Sequence, residues 1–260
     1  LLCYNKEVII MKKVFYYSSY EDDVVKSKNQ EYKLKANYKW IHKNIFYKVI
    51  SFFLYFIFYI ISFIYSKFIL HITVKNKNLL KGKKDFFIYG NHTQEVGDAF
   101  NPPLITFPYK PYFIVSKSNL GIPILGKLLP MLGALVIPDE IHAMMEFRKA
   151  VTFYNKNHPI IIYPEAHVWP YYTKIRPFKS GSFQFPVEEK KEVFTMTTTY
   201  QKSKWHKKPN ITIFIDGPFL PCEEYSKKEK IKDLEKQVED AMNKRVKLSD
   251  YEFITYEKRD

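Results

Sequence analysis

An uncharged run of 18 residues, Val49–Ser66, divides the chain between Lys48 and Lys67. A stretch this apolar must be covered by lipid or by protein, and its length sits at the lower limit for a helix that crosses a bilayer. It lies too far from Leu1 to be a secretory leader. Its polar groups are ordered: Asn44, Lys48, Ser51, Tyr55, Tyr59, Ser62 and Ser66 recur in steps of three or four. At helical pitch they share an arc of about 80°, with Phe and Ile filling the opposite face. Both flanks, Leu1–Lys43 and Lys67–Lys84, carry excess lysine, so the positive-inside rule assigns no orientation. A helix lying in the membrane interface, or a short re-entrant helical hairpin, over residues 45–70 accounts for these features together; a single crossing helix is the alternative.

Beyond this segment the pattern changes to alternating strands and helices. Phe86–Tyr89, Tyr112–Val115, Ala134–Ile137, Ile160–Tyr163, Val193–Thr199 and Ile211–Ile215 are short β-rich runs. Several are apolar throughout, as strands covered on both faces are. Ile141–Asn155 reads as a helix. A second helix starts at Ser226, where Ser226 and Glu229 have capping-box spacing and Ile231, Leu234, Val238, Ala241 and Met242 form one apolar stripe. The predicted fold is α/β: a mixed, largely parallel sheet flanked by helices. It is preceded by a basic segment (1–44) and the hydrophobic helix or hairpin (45–70), leaving one catalytic-sized domain in 71–260.

A hydrophobic content of 46% excludes a disordered chain. The formal charge of +14 suits an anionic surface such as acidic lipid headgroups or a phosphorylated substrate. Nucleic acid is not the expected partner, because no Arg-rich groove motif or aromatic-basic recognition signature accompanies the charge. Cys3 and Cys222 are the two cysteines, too few for a disulfide framework or a thiolate metal site, so a reducing compartment is the default. Met11 is a plausible alternative start. No metal is expected: His92 and Glu95 lack the second histidine of a His-Glu-x-x-His pair.

Two stretches carry chemistry. Gly90-Asn91-His92 through Asp98 follows a strand directly, which is where open α/β sheets place their sites. A histidine with a carboxylate close by permits a base and its orienter: the acid fixes one imidazole nitrogen, and the other removes a proton from a hydroxyl. Tyr163-Pro164-Glu165-Ala166-His167 ends another strand and leads to Arg176-Pro177-Phe178-Lys179-Ser180-Gly181. An acid after a strand with a basic loop beside it can cradle a phosphate.

Taken in order, these blocks resemble the glycerolipid acyltransferases, the PlsC-like lysophosphatidic acid acyltransferase superfamily. Gly90-Asn91-His92 through Asp98 looks like its His-x4-Asp signature. Val115-Ser116-Lys117-Ser118-Asn119-Leu120 with Ile122-Pro123 and Leu132–Ile137 resembles its second block. Tyr163-Pro164-Glu165 continued by Arg176–Gly181 resembles its third, and Val193–Thr198 corresponds loosely to its fourth. The likeness spans about residues 80–220, inside what would be an acyltransferase domain at 71–260. There are departures. Five residues, not four, separate His92 from Asp98; Gly97 allows the backbone to absorb the extra residue, and Glu95 is the alternative orienter. Ala166-His167-Val168 stands where the family has Gly-Thr-Arg, and Asp139 stands where a basic residue is usual.

The resemblance implies transfer of a fatty acyl group from acyl-CoA or an acyl carrier protein thioester to a lysophospholipid hydroxyl. That makes 1-acyl-glycerol-3-phosphate into phosphatidic acid, with no cofactor, on the cytoplasmic face of a membrane whose lipids are partners. The departures leave a non-phosphate lysolipid, a glycolipid acceptor, or a decayed membrane-bound binding protein as alternatives. His92 would be the base and Asp98 its orienter, with backbone N–H groups near the second and third blocks stabilising the oxyanion. Asn91, Lys117, Glu165, His167, Arg176 and Lys179 would hold substrate, the basic ones replacing the missing arginines.

Overall fold

The computed structural model describes residues 13–25, 32–35 and 37–259; Cys3 and the Met11 start lie outside the described residues. In chain order the elements are β1 (Lys13–Tyr17), α1 (Ile45–Ile64), β2 (Ile72–Lys75), β3 (Phe87–Gly90), α2 (Gly97–Thr106), β4 (Tyr112–Val115), α3 (Leu125–Leu132), β5 (Ala134–Val136), α4 (Ile141–Asn155), β6 (Ile160–Ile162), α5 (Gln184–Glu189), β7 (Val193–Gln201), β8 (Asn210–Phe219), α6 (Lys227–Val246) and β9 (Ile254–Lys258). Seven strands form one sheet in the order β2-β8-β7-β3-β6-β4-β5. Every neighbouring pair is parallel except β7 with β8. The fold is α/β with a mixed, largely parallel sheet flanked by helices.

Side-chain alternation divides the core. Phe87 and Tyr89 of β3 and Ile160 and Ile162 of β6 pack with Phe147, Ala150 and Val151 of α4 and Leu234, Val238 and Met242 of α6. Ile88 and Ile161 turn to the other face, against Ile105 of α2 and Phe194, Met196 and Ile213. Both faces are covered, which is why these runs lack polar alternation. The capping box of α6 forms, with the Ser226 N–H donating to Glu229 Oε2 (2.9 Å) and the Glu229 N–H to Ser226 Oγ (3.4 Å). A second small sheet escapes sequence reading: β1 pairs in parallel with β9. Trp40, in the segment between β1 and α1, is buried in the core and donates its Nε1–H to the Val136 carbonyl (2.8 Å).

Residues 45–70 form one rod rather than a hairpin. Asn44 caps it, Oδ1 accepting from the N–H groups of Phe46 (2.8 Å) and Tyr47 (3.2 Å). The helix ends in a π-helical turn, Tyr65–Ile69. The run contains no Gly or Pro at which to reverse. Ile45–Ile69 is 25 residues, long and apolar enough to cross a membrane by length and composition. Its polar stripe faces inward: Ser51 Oγ donates to the Met131 carbonyl (2.6 Å), Ser66 Oγ to Asn101 Oδ1 (3.1 Å), and Ser62 is buried. The aromatic and aliphatic face is turned out, with Phe46, Phe52 and Phe68 each 65–75% exposed. A contiguous apolar surface of this kind calls for an apolar cover.

Candidate active site

β3 delivers the candidate base. Gly90 sits where a Cβ would come within 2.7 Å of Met196 Cε and Tyr163 Cε1, so only glycine lets the chain leave the sheet here. Asn91 then continues the ladder with its side chain: Oδ1 accepts from the Thr198 N–H (2.7 Å) and Nδ2 donates to the Thr198 carbonyl (3.0 Å). Asn91 is buried, with both side-chain polar atoms committed to β7. The two residues after His92 are tied to Tyr200, whose hydroxyl donates to Thr93 Oγ1 (2.8 Å) and accepts from Gln94 Nε2 (2.7 Å).

The extra residue between His92 and Asp98 is taken up by the turn at Glu95-Val96. Gly97 closes that turn, since a Cβ there would lie 2.9 Å from Gln94. Asp98 falls in the first turn of α2 and comes back to His92, with Oδ2 2.7 Å from the imidazole Nδ1. The Gln94 N–H donates to the same oxygen (2.9 Å). Glu95 is exposed on the turn.

Asp98 is buried, and burial pushes its carboxyl above the ordinary carboxylate range; the His92 hydrogen bond and charge pull against that shift. A carboxylate can only accept, so a neutral imidazole in this contact carries its proton on Nδ1 and its lone pair on Nε2. The ring stacks on Tyr163 (4.5 Å, 18°), whose hydroxyl donates to the Asp98 carbonyl (2.6 Å). The His92 side chain retains 19% exposure, whereas that of Asp98 retains 6%.

The strand-end block after β6 packs against the His92 backbone. Glu165 Oε2 accepts from the His92 N–H (3.2 Å) and from Arg176 NH2 (2.8 Å), while Oε1 accepts from the Arg176 N–H (3.1 Å). Arg176 also donates to the His167 carbonyl and lies over the Trp169 ring at 4.8 Å. The Trp169 N–H donates to the His92 carbonyl (3.0 Å) and the Tyr171 N–H to the Thr93 carbonyl (2.9 Å). The His92 peptide is thus gripped on both sides. Glu165 and Arg176 are 2% and 1% exposed, so they brace the histidine from within.

The remaining candidate binding side chains are each paired with a carboxylate of the chain. Lys117 pairs with Asp139 (2.5 Å), Lys179 with both carboxylate oxygens of Glu21 (2.6 Å), and His167 Nδ1 with Asp23 Oδ1 (2.5 Å). Glu21 and Asp23 belong to an acidic turn after β1, held down by Trp169 Nε1–H on the Asp22 carbonyl (3.0 Å). Lys117 and Lys179 border a cavity of about 560 Å³ at the C-terminal ends of β4, β5 and β6. Ile114, Phe147 and Phe185 give it apolar walls, and Tyr163 joins it to the histidine's ring stack. Tyr163 was within reach of sequence reading, as the last residue before Pro164-Glu165. Tyr200, Trp169, Glu21 and Asp23 were not, because nothing local marks a partner so far along the chain. Among the described residues no three metal-ligating side chains converge.

Residues 71–199 match the family model described as Acyltransferase. Among solved structures, the chain is similar to the 1-acyl-sn-glycerophosphate acyltransferase PlsC from Thermotoga maritima at 17% identity and a TM-score of 0.48, covering 78% of this chain and 98% of that one. No curated protein matches it.

Proposed function

We propose that this chain, whose residues 71–199 match the Acyltransferase family model, moves a fatty acyl group from a thioester carrier, coenzyme A or acyl carrier protein, to the free hydroxyl of a lysophospholipid. The first reading of the acceptor is 1-acyl-glycerol-3-phosphate, with phosphatidic acid as product. The observation that carries it is the 2.7 Å contact between His92 Nδ1 and a buried Asp98 carboxylate, on a histidine whose side chain keeps 19% exposure.

In this mechanism His92 Nε2 takes the proton of the acceptor hydroxyl as its oxygen attacks the thioester carbonyl. Asp98 stabilises the imidazolium that results. Collapse of the tetrahedral intermediate breaks the C–S bond, and the imidazolium returns its proton to the leaving thiolate. The carbonyl is already activated, so no covalent enzyme intermediate and no cofactor are needed. The exposed face of α1 and the +14 charge support a catalytic domain held at the cytoplasmic surface of an anionic membrane, where donor and acceptor chains need not cross water.

A second reading has its own observation. Lys117, His167, Arg176 and Lys179 are all paired with carboxylates of the chain, which favours an acceptor without a phosphate monoester, such as a zwitterionic lysolipid or a glycolipid. Purified protein with one acyl donor and a lysolipid panel separates the two. His92→Ala should lower turnover by about 10²–10⁴ with little change in binding; full acyl transfer by that variant would overturn the assignment.

A further inference from the structure

A second cavity, about 580 Å³, lies at the opposite end of the sheet from His92. Tyr112 in its wall opens β4 and His158 precedes β6, whereas His92 follows the far end of the parallel strand β3. Its other wall is the inward stripe of α1. Lys48, Lys110 and Lys156 line it together with His42 and His158, and no Asp or Glu does.

Lys110 is the unusual member. Its amine donates to Ser51 Oγ (2.9 Å) and to the Met131 carbonyl (2.6 Å) and stands 5.3 Å from the rings of Tyr55 and Tyr112. Those are neutral partners. Burial brings the amine down to about 8, which still leaves it mostly charged at neutral pH. A buried cation among neutral groups is costly unless an anion joins it. Tyr47, also in the wall, has a buried hydroxyl with no hydrogen-bond partner. Phe52 lines the same cavity and is 65% exposed on the outward face of α1, so the basic pocket opens onto the apolar surface.

We propose that this cavity binds the phosphate-bearing headgroup of an anionic membrane phospholipid, whose acyl chains lie along the Phe and Ile face of α1 from Phe52 outward. The lysines meet the phosphate, Tyr47 supplies a donor, and the helix supplies the cover its exposed side lacks. A soluble phosphate would satisfy the lysines alone; continuity with the α1 face is what selects a lipid. The bound lipid is a tether distinct from the acceptor, because the cavity and His92 occupy opposite ends of the sheet.

The test uses the full chain with vesicles of phosphatidylcholine, alone and mixed with phosphatidylglycerol, and with water-soluble dihexanoyl-phosphatidylglycerol or inorganic phosphate as free ligands. Lys48→Ala with Lys156→Ala removes two charges from the rim, where folding does not depend on them. This pair should lose about tenfold or more in affinity for the phosphatidylglycerol vesicles, while Lys228→Ala with Lys232→Ala on the exposed side of α6 should change it less than about twofold. Dihexanoyl-phosphatidylglycerol should raise the melting temperature of the wild type saturably, and inorganic phosphate at the same concentration should not. Lys110→Met should abolish that rise while remaining folded by circular dichroism. His92→Ala should bind vesicles as the wild type does, so a failure of the acyl-transfer reading leaves this result standing. Equal loss in the rim and control pairs, an unchanged rim pair, or equal stabilisation by inorganic phosphate would overturn the proposal.

Discussion

Two buried carboxylates converge on one histidine, and they differ in what they hold. Asp98 bonds the His92 ring and Glu165 bonds its backbone N–H. Burial raises the carboxyl pKa of both, against the pull of their partners. Yet the partner of Asp98 is an imidazole whose side chain is 19% exposed, whereas the main partner of Glu165 is a guanidinium 1% exposed. An imidazole exchanges a proton near neutrality; a guanidinium does not. Burial and a perturbed pKa therefore do not by themselves mark a catalytic acid. The titratable, accessible partner does.

Substituting each acid sharpens this contrast. Asp98→Asn keeps the shape but loses the charge that orients the ring and stabilises the imidazolium; turnover should fall by about 10²–10⁴, measured as single-turnover acyl transfer. Stability should not fall with it. The folded Asp98 carboxyl titrates above its unfolded value, so its stabilising contribution is present below that unfolded value and is lost as pH rises through the folded one. The melting temperature of Asp98→Asn relative to wild type should therefore improve as pH climbs above the unfolded carboxyl value of about 4. A variant equally unstable at every pH would place Asp98 with Glu165 as a brace.

Glu165→Gln should do the reverse. It strands the Arg176 guanidinium in the interior, where Nε and NH1 already lack partners. Breaking a buried pair by removing one member costs about 3–5 kcal/mol. Denaturant unfolding should show that loss directly, and the activity that remains should scale with the folded fraction. If Glu165→Gln unfolds like the wild type but fails in turnover, the acid touches substrate after all.

How far the sequence reveals this arrangement follows from the range of each interaction. Strands β3 to β6 and the helices α4 and α6 were legible because period and capping are local signals, and the site's position followed from a histidine placed just after a strand. The direction of the polar stripe on α1 was not legible: Ser51, Ser62 and Ser66 would face water on an interfacial helix, but here they dock on the domain. The bracing role of Glu165 and Arg176 was also hidden, since an acid and a base near a strand end have the same spelling whether buried or exposed. The acidic turn was hardest, because its register depends on β1 meeting β9 from the other end of the chain.

That turn allows the smallest and most discriminating test. Glu21 and Asp23 occupy Lys179 and His167, the side chains that a phosphate monoester on the acceptor would use. The contacts are exposed and therefore weak, so a substrate dianion can displace them at small cost. Glu21→Gln with Asp23→Asn removes the competitor without touching the His92 couple. If the acceptor carries a phosphate monoester, its KM should fall by about two- to fivefold with kcat unchanged, since only uniform binding is altered. With a zwitterionic acceptor, whose own cation profits from the carboxylates, KM should rise by a similar factor. Opposite signs for two headgroups under one pair of substitutions would decide between the readings; a change in kcat would mean that the turn supports the histidine through Trp169 instead, because Trp169 holds both the Asp22 carbonyl and the His92 carbonyl.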